Sequence, residues 1–142
     1  MKVKVSPLER GLRGVLFDEK KREKMFRLLK KKSFDIKFTS ENKSQFNTIL
    51  TEIYTILRDT AFSSQANCII QILSSIENED TVKFEKKVVS AELLGGSGSV
   101  IDVWIDDEIK MKRFHSLINE FLELTIESGL NHKTVKSRII NW

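Results

Sequence analysis

Apolar residues recur at helical spacing in three long stretches of the chain. Within residues 41–60 they follow one another at intervals of three or four positions, which places them along one face of a helix. The same spacing runs through residues 63–78 and again through 107–128. We therefore predict three long amphipathic helices that pack their apolar faces around a shared core.

Polar residues with short side chains mark the expected starts of the helices, because their oxygens can accept hydrogen bonds from the first backbone N–H groups. The residues predicted to cap a helix are Ser40, Ser63 or Ser64, Asn78 or Asp80, and Asp106. The Asn78 or Asp80 cap would begin a shorter helix, and residues 18–33 predict another. Residues 131–142 form a final short segment whose apolar residues lie on one side if it is helical. Gly129 stands where a glycine commonly ends a helix.

Three short segments have an extended character instead. Residues 2–5 and 34–38 alternate polar and apolar side chains, and residues 100–105 are mostly apolar. They could pair into a small accessory β element, and an extended connection is the alternative for residues 34–38. We therefore predict a mainly α fold, a compact helical domain of about four to six helices, with residues 1–142 forming a single domain.

The composition indicates a soluble protein of a reducing compartment. Cys68 is the only cysteine, so an internal disulfide and a cysteine-based zinc cluster are both excluded. It lies in an apolar run, where a cysteine usually acts as a small buried hydrophobe. The first residues lack the apolar stretch of a signal peptide, and no run reaches the roughly 20 apolar residues of a membrane span. We expect a cytoplasmic protein without a membrane partner.

The stretch AELLGGSGSVIDVWIDDE holds three of the six glycines, Gly95, Gly96 and Gly98. A phosphate-binding P-loop would need a lysine soon after them, but none follows before Lys110. The dinucleotide fingerprint would need a third glycine where Ile101 stands. A structural turn is the favoured interpretation. Two alternatives are an anion-binding nest of backbone N–H groups and a partner-binding loop.

The partner-binding interpretation involves the polar residues of the loop and the tryptophan that follows it. Ser97, Ser99 and Asp102 would fix the loop or contact a partner, and Trp104 would join the binding surface. Tryptophan is enriched among the residues that dominate protein–protein binding energy. Burial of Trp104 under the following long helix would explain it equally well.

This stretch also resembles a motif of small, uncharacterised bacterial proteins, Gly-Gly-x-Gly-Ser-x-x-Asp ahead of an apolar stretch and a C-terminal helix. The matching residues are Gly95, Gly96, Gly98, Ser99 and Asp102. The family usually has methionine at the position of Ser97 and asparagine at that of Ile101, and the resemblance covers residues 82–128. The family has no established activity, but some members resemble immunity proteins that neutralise toxins. The resemblance thus implies a small cytosolic protein that binds another protein.

A basic run in the N-terminal part of the chain supports a different function. Eight of the thirteen residues from 20 to 32 are basic, namely Lys20, Lys21, Arg22, Lys24, Arg27, Lys30, Lys31 and Lys32. Such a run can neutralise phosphates and give salt-dependent binding to nucleic acid, or it can simply form a solvated helix face. The net charge of +4 permits an anionic partner without requiring one.

Residues for catalysis are few. His115 and His132 are the only histidines, no zinc-protease motif is present, and no metal site can be assembled from the sequence. We predict His115 to be partly buried or on the surface. We therefore expect no cofactor and no catalytic residues, and we predict a non-enzymatic interaction protein, with a nucleic-acid-binding module as the alternative. A small enzyme that holds an anion or a nucleotide in the glycine loop is a third interpretation.

Overall fold

A computed structural model of the protein describes residues 34–139, and it confirms a compact, mainly α fold. Its helices are α1 (Ser40–Asp59), α2 (Ser63–Glu77), α3 (Thr81–Val88), α4 (Ala91–Leu94), α5 (Glu108–Glu127) and α6 (Lys133–Arg138). The three long helices predicted from the apolar spacing correspond to α1, α2 and α5. Their apolar faces are buried as the spacing requires.

Helix α1 lies at the centre of the packing, since it contacts both α2 and α5. Helix α3 packs on α2, and the short helix α6 contacts α5 and α4. Four phenylalanines join α1, α3, α5 and the segment before α1 through edge-to-face ring contacts, with centroids 5.2–6.2 Å apart. We refer to these residues as the phenylalanine cluster: Phe38, Phe46, Phe84 and Phe121.

The helix caps differ from the predicted ones at three of the four starts. Thr39, and not Ser40, caps α1, and its side chain and that of Asn42 each accept a hydrogen bond from the other's backbone N–H. Asp107, one residue after the predicted Asp106, caps α5 by accepting from the N–H of Lys110.

The other two starts divide between a wrong prediction and a confirmed one. Helix α2 begins after Phe62 without any side-chain cap, so the predicted cap at Ser63 or Ser64 is wrong. The Asp80 side chain accepts from the N–H of Lys83 at the start of α3, which confirms the second of the two residues proposed there. Shifts of one residue are expected wherever several capping side chains adjoin.

No strand forms among residues 34–139, so the strand predicted at residues 100–105 is wrong. Of the two interpretations of residues 34–38, the strand is also wrong, and the connecting segment agrees with the structure. Residues 34–38 are extended, but their backbone meets the end of a helix: the N–H of Lys37 donates to the carbonyl oxygen of Ser128 at 2.8 Å. The Asn42 side chain bonds to the carbonyl of Lys37 and to the Ser128 hydroxyl as well. The alternation of polar and apolar residues therefore arises because one side of this extended segment is buried. It does not require a neighbouring strand.

Gly129 ends α5 as predicted. Its φ of +117° lies in the region that side chains disfavour, and an added Cβ would overlap the carbonyl of Asp35. Glycine thus allows the residues before α1 to approach the end of α5 closely.

Residues 35–139 belong to one compact unit. The prediction of a single domain over residues 1–142 stays a prediction, and the elements predicted at residues 2–5 and 18–33 lie outside the described residues. Within the described range, no helix has both the length and the apolar character needed to span a bilayer.

Candidate functional site

The glycine-rich loop begins where α4 ends. Leu93 and Leu94 anchor this single helical turn in the core, with 1% and 2% of their surfaces exposed. Gly95 then passes so close to the helix that a Cβ there would lie 2.7 Å from the Cα and carbonyl oxygen of Ala91. The first glycine is therefore required by packing.

The other two glycines differ from Gly95 and from each other. Gly98 has a φ of +87°, a conformation that favours glycine, and its carbonyl accepts a 2.9 Å hydrogen bond from the Gln65 side chain. Gly96 does not have a positive φ, and no heavy atom lies within 4 Å of the place that a Cβ would occupy there. The described part of the protein thus gives Gly95 and Gly98 a structural role but gives Gly96 none.

The backbone after the glycines folds back onto α4. The N–H groups of Val100 and Ile101 donate to the carbonyls of Glu92 and Leu93 at 2.9 and 3.1 Å. The N–H of Ser99 bonds to Gly96, in the same loop. These three N–H groups already donate to carbonyls of α4 or of the loop, which argues against an anion-binding nest built from them.

The polar side chains of the loop divide between the surface and the interior. Ser97 and Asp102 are exposed. Ser99 is 2% exposed, and its hydroxyl has no hydrogen-bond partner among residues 34–139. A partner at the surface can therefore contact Ser97 and Asp102, whereas the Ser99 side chain faces the interior.

Trp104 is the most exposed aromatic residue of this region, with 70% of its surface accessible. Burial under the long helix, one of the two interpretations of this residue, is therefore wrong. Its neighbours Val103 and Ile105 are each only 4% exposed, and the N–H of Ile105 donates to the sulfur of Met111 at 3.2 Å. The flanking residues fix the backbone against the start of α5 and direct the indole outward.

A second exposed apolar residue, Ile109, lies in the first turn of α5 and was not among the predicted site residues. It is 81% exposed, whereas Met111 and Phe114 on the same helix are buried. Its position could have been recognised from the sequence, because Ile109 lies outside the regular spacing that begins at Met111. We define the Trp104 surface as the exposed residues of the junction between the loop and α5: Asp102, Trp104, Asp106, Asp107, Glu108 and Ile109.

The side chains with potential for catalysis are not among the residues of this surface. Cys68 is buried as predicted, and burial raises the pKa of its thiol to about 11, so the reactive thiolate is disfavoured. His115 is partly buried, and desolvation lowers the pKa of its imidazole. The ring of His132 caps α6 by accepting from the N–H of Thr134. Among residues 34–139, no three metal-binding side chains are grouped to hold an ion.

The basic run from Lys20 to Lys32 lies outside the described residues, so its predicted role in nucleic-acid binding stays a prediction. No protein-family model, curated protein or solved structure matches the chain.

Proposed function

We propose that this chain is a non-enzymatic cytosolic interaction protein that binds another protein through the Trp104 surface. The observation that carries the proposal is the 70% exposure of Trp104 beside two buried neighbours. Burying a tryptophan in a partner contributes a large apolar area and supplies a residue type common among binding hot spots.

The anchoring of the residues on either side of Trp104 supports the same function. Val103 and Ile105 hold the chain on either side of the tryptophan, and Asp107 caps the helix that follows. A tryptophan side chain has only two torsions to restrict on binding, so the loss of its conformational entropy costs little binding free energy. The exposed Ile109 extends the apolar contact.

The resemblance to the Gly-Gly-x-Gly-Ser-x-x-Asp family supports a more specific form of the proposal, in which the bacterial cytosol is the compartment and a toxin is the partner. The motif overlaps the loop from Gly95 to Asp102, next to Trp104. This form requires a partner that is toxic when expressed alone and harmless when this protein is expressed with it.

The test compares two substitutions of exposed apolar residues. Tagged wild-type protein, Trp104→Ala and Val82→Ala would be used to recover partners from the native host, and each candidate would then be purified and titrated. Val82 is a matched control because it is 76% exposed and lies on α3, outside the residues that define the proposed surface. The proposal expects at least a tenfold loss of affinity for Trp104→Ala and no loss for Val82→Ala. Equal affinities for all three proteins would contradict it.

Nucleic-acid binding through residues 20–32 is the second candidate, and its support is the density of lysine and arginine in that run. It predicts retention on heparin that falls as the salt concentration rises, because bound cations are released from the polyanion. Replacing Lys30, Lys31 and Lys32 with glutamine should reduce that retention. Retention that is absent at low salt would exclude this function.

A further inference from the structure

The Trp104 surface is acidic in a protein that is basic overall. Four of the seven residues from 102 to 108 are carboxylates, and none is basic. All four are exposed, whereas the full chain has a net charge of +4. The first basic residue that follows is Lys110, in the first turn of α5. The apolar anchors Trp104 and Ile109 are therefore surrounded by local negative charge.

Three of these four carboxylates have no hydrogen-bond or ion-pair partner among the described residues. Asp107 caps α5, but Asp102, Asp106 and Glu108 form no ion pair with any residue of the described chain. Glu108 benefits only from its place at the positive end of α5. Stability of the fold therefore explains one carboxylate well, and it leaves the other charges available to a partner.

We infer that the partner of the Trp104 surface presents lysine or arginine side chains around an apolar depression that receives the indole. This inference rests on the proposed function and specifies its partner. A neutral partner would remove water from carboxylates without replacing those hydrogen bonds, and an acidic partner would repel them. A basic partner compensates for both costs, and attraction between opposite charges also accelerates encounter.

The experiment uses the tryptophan itself as the reporter. The chain has two tryptophans, Trp104 and Trp142, so Trp142→Phe leaves Trp104 as the single indole emitter. If that variant folds poorly, the emission of the wild type minus that of Trp104→Ala gives the same information. The probes are an amphipathic peptide of lysine and leucine, its counterpart of glutamate and leucine, and a neutral peptide of serine and leucine. Binding of the lysine peptide should shift the emission to shorter wavelength and should weaken as salt is added.

Two triple variants with the same change in net charge identify the binding surface. Asp102→Asn, Asp106→Asn and Glu108→Gln together remove three of the four carboxylates of the Trp104 surface and keep the Asp107 cap. The control, Glu41→Gln, Glu123→Gln and Glu127→Gln, neutralises exposed carboxylates at the start of α1 and the far end of α5. The first variant should weaken binding of the lysine peptide about tenfold, and the control should leave it within about twofold.

The remaining outcomes separate this inference from the proposed function. Equal binding of the lysine, glutamate and serine peptides, or no binding of the lysine peptide, would overturn the basic partner. A greater loss in the control variant than in the first would also overturn it. A Trp104-dependent dimer in light scattering, insensitive to the first triple variant, would point to a second copy instead. Failure of the proposed function itself appears separately, as equal partner affinities of wild type and Trp104→Ala.

Discussion

The phenylalanine cluster and the Trp104 surface place aromatic residues in opposite environments. Phe46 and Phe84 are 0% exposed and contact each other and further rings edge to face. Trp104 is 70% exposed on a short segment whose other apolar side chains point inward. Burial of the phenylalanine cluster stabilises the folded protein, whereas the exposed indole of Trp104 contributes little to that stability. An aromatic residue that folding leaves in water is therefore a better candidate for binding than one that the core explains.

The comparison is tested most strongly by removing one ring from each region. Phe46→Ala should lower the free energy of unfolding by about 3–5 kcal/mol, because it removes a buried ring that contacts three others and leaves a cavity. Trp104→Ala should change it by less than about 0.5 kcal/mol. Urea denaturation followed by circular dichroism measures both.

Phe46→Leu serves as the control for the first substitution, since it keeps most of the apolar volume and should cost clearly less than the alanine variant. A loss above about 1.5 kcal/mol for Trp104→Ala would mean that the indole stabilises the fold. The contrast between the two regions would then be wrong.

Two glycines of the loop that precedes the Trp104 surface allow a second comparison, between a position that packing requires to be glycine and one that it does not. Gly95→Ala should destabilise the protein by about 1–3 kcal/mol, because its Cβ would overlap the backbone of Ala91. Gly96→Ala should be neutral within about 0.5 kcal/mol, since nothing lies near its side-chain position. Thermal or urea unfolding of the two variants measures the difference. Equal losses of stability in the two variants would show that Gly95 does not pack closely against the backbone of Ala91.

The long helices could be predicted from the sequence because their cause is local. Burying one face of a helix requires apolar residues every three or four positions, and the sequence displays this directly in α1, α2 and α5. The end of α5 was predictable for a similar reason, because Gly129 is the residue type that adopts a positive φ at little cost.

The segment from residue 100 to 105 could not be predicted in the same way. Val103 and Ile105 are buried while Asp102 and Trp104 are exposed, and this alternation is also typical of a strand. A strand requires a neighbouring strand, and only tertiary structure shows that the backbone of Val100 bonds to α4 instead. The exposure of Trp104 depends on the same long-range packing, so the sequence left its burial open.

A smaller effect is expected at the turn between α1 and α2, where a residue other than glycine has a left-handed conformation. Ala61 has a φ of +68°, and its N–H bonds to the carbonyl of Arg58. Ala61→Gly should raise the free energy of unfolding by about 0.5–1 kcal/mol. The substitution relieves the contact between Cβ and the backbone, and this gain exceeds the cost of the greater conformational entropy that glycine has in the unfolded chain. Ala91→Gly is the control and should lower stability, since Ala91 is helical. A destabilised Ala61→Gly variant would mean that the turn carries no such strain.

The smallest effect is expected at the ion pair between α1 and α5, which lies on the surface like Trp104 but has its partner within the protein. Arg113 donates two hydrogen bonds to Glu52, at 2.6 and 2.7 Å, and these lower the pKa of the Glu52 carboxyl below its ordinary 4.5. Because the side chains are 48% and 39% exposed, we expect Glu52→Gln to cost only about 0.5 kcal/mol at neutral pH.

A lowered pKa in the folded state gives a contribution to stability that is complete above the ordinary pKa and disappears as the pH falls through the lowered value. The stability difference between wild type and Glu52→Gln should therefore shrink in acid, as measured by urea unfolding at neutral pH and at pH values well below 4.5.

Glu123→Gln is the control for this pair. It removes a carboxylate that has no ion pair in the described chain and should show no comparable loss of stability at neutral pH. A difference for Glu52→Gln that stays constant or grows in acid would show that the geometry of the pair does not stabilise the folded state.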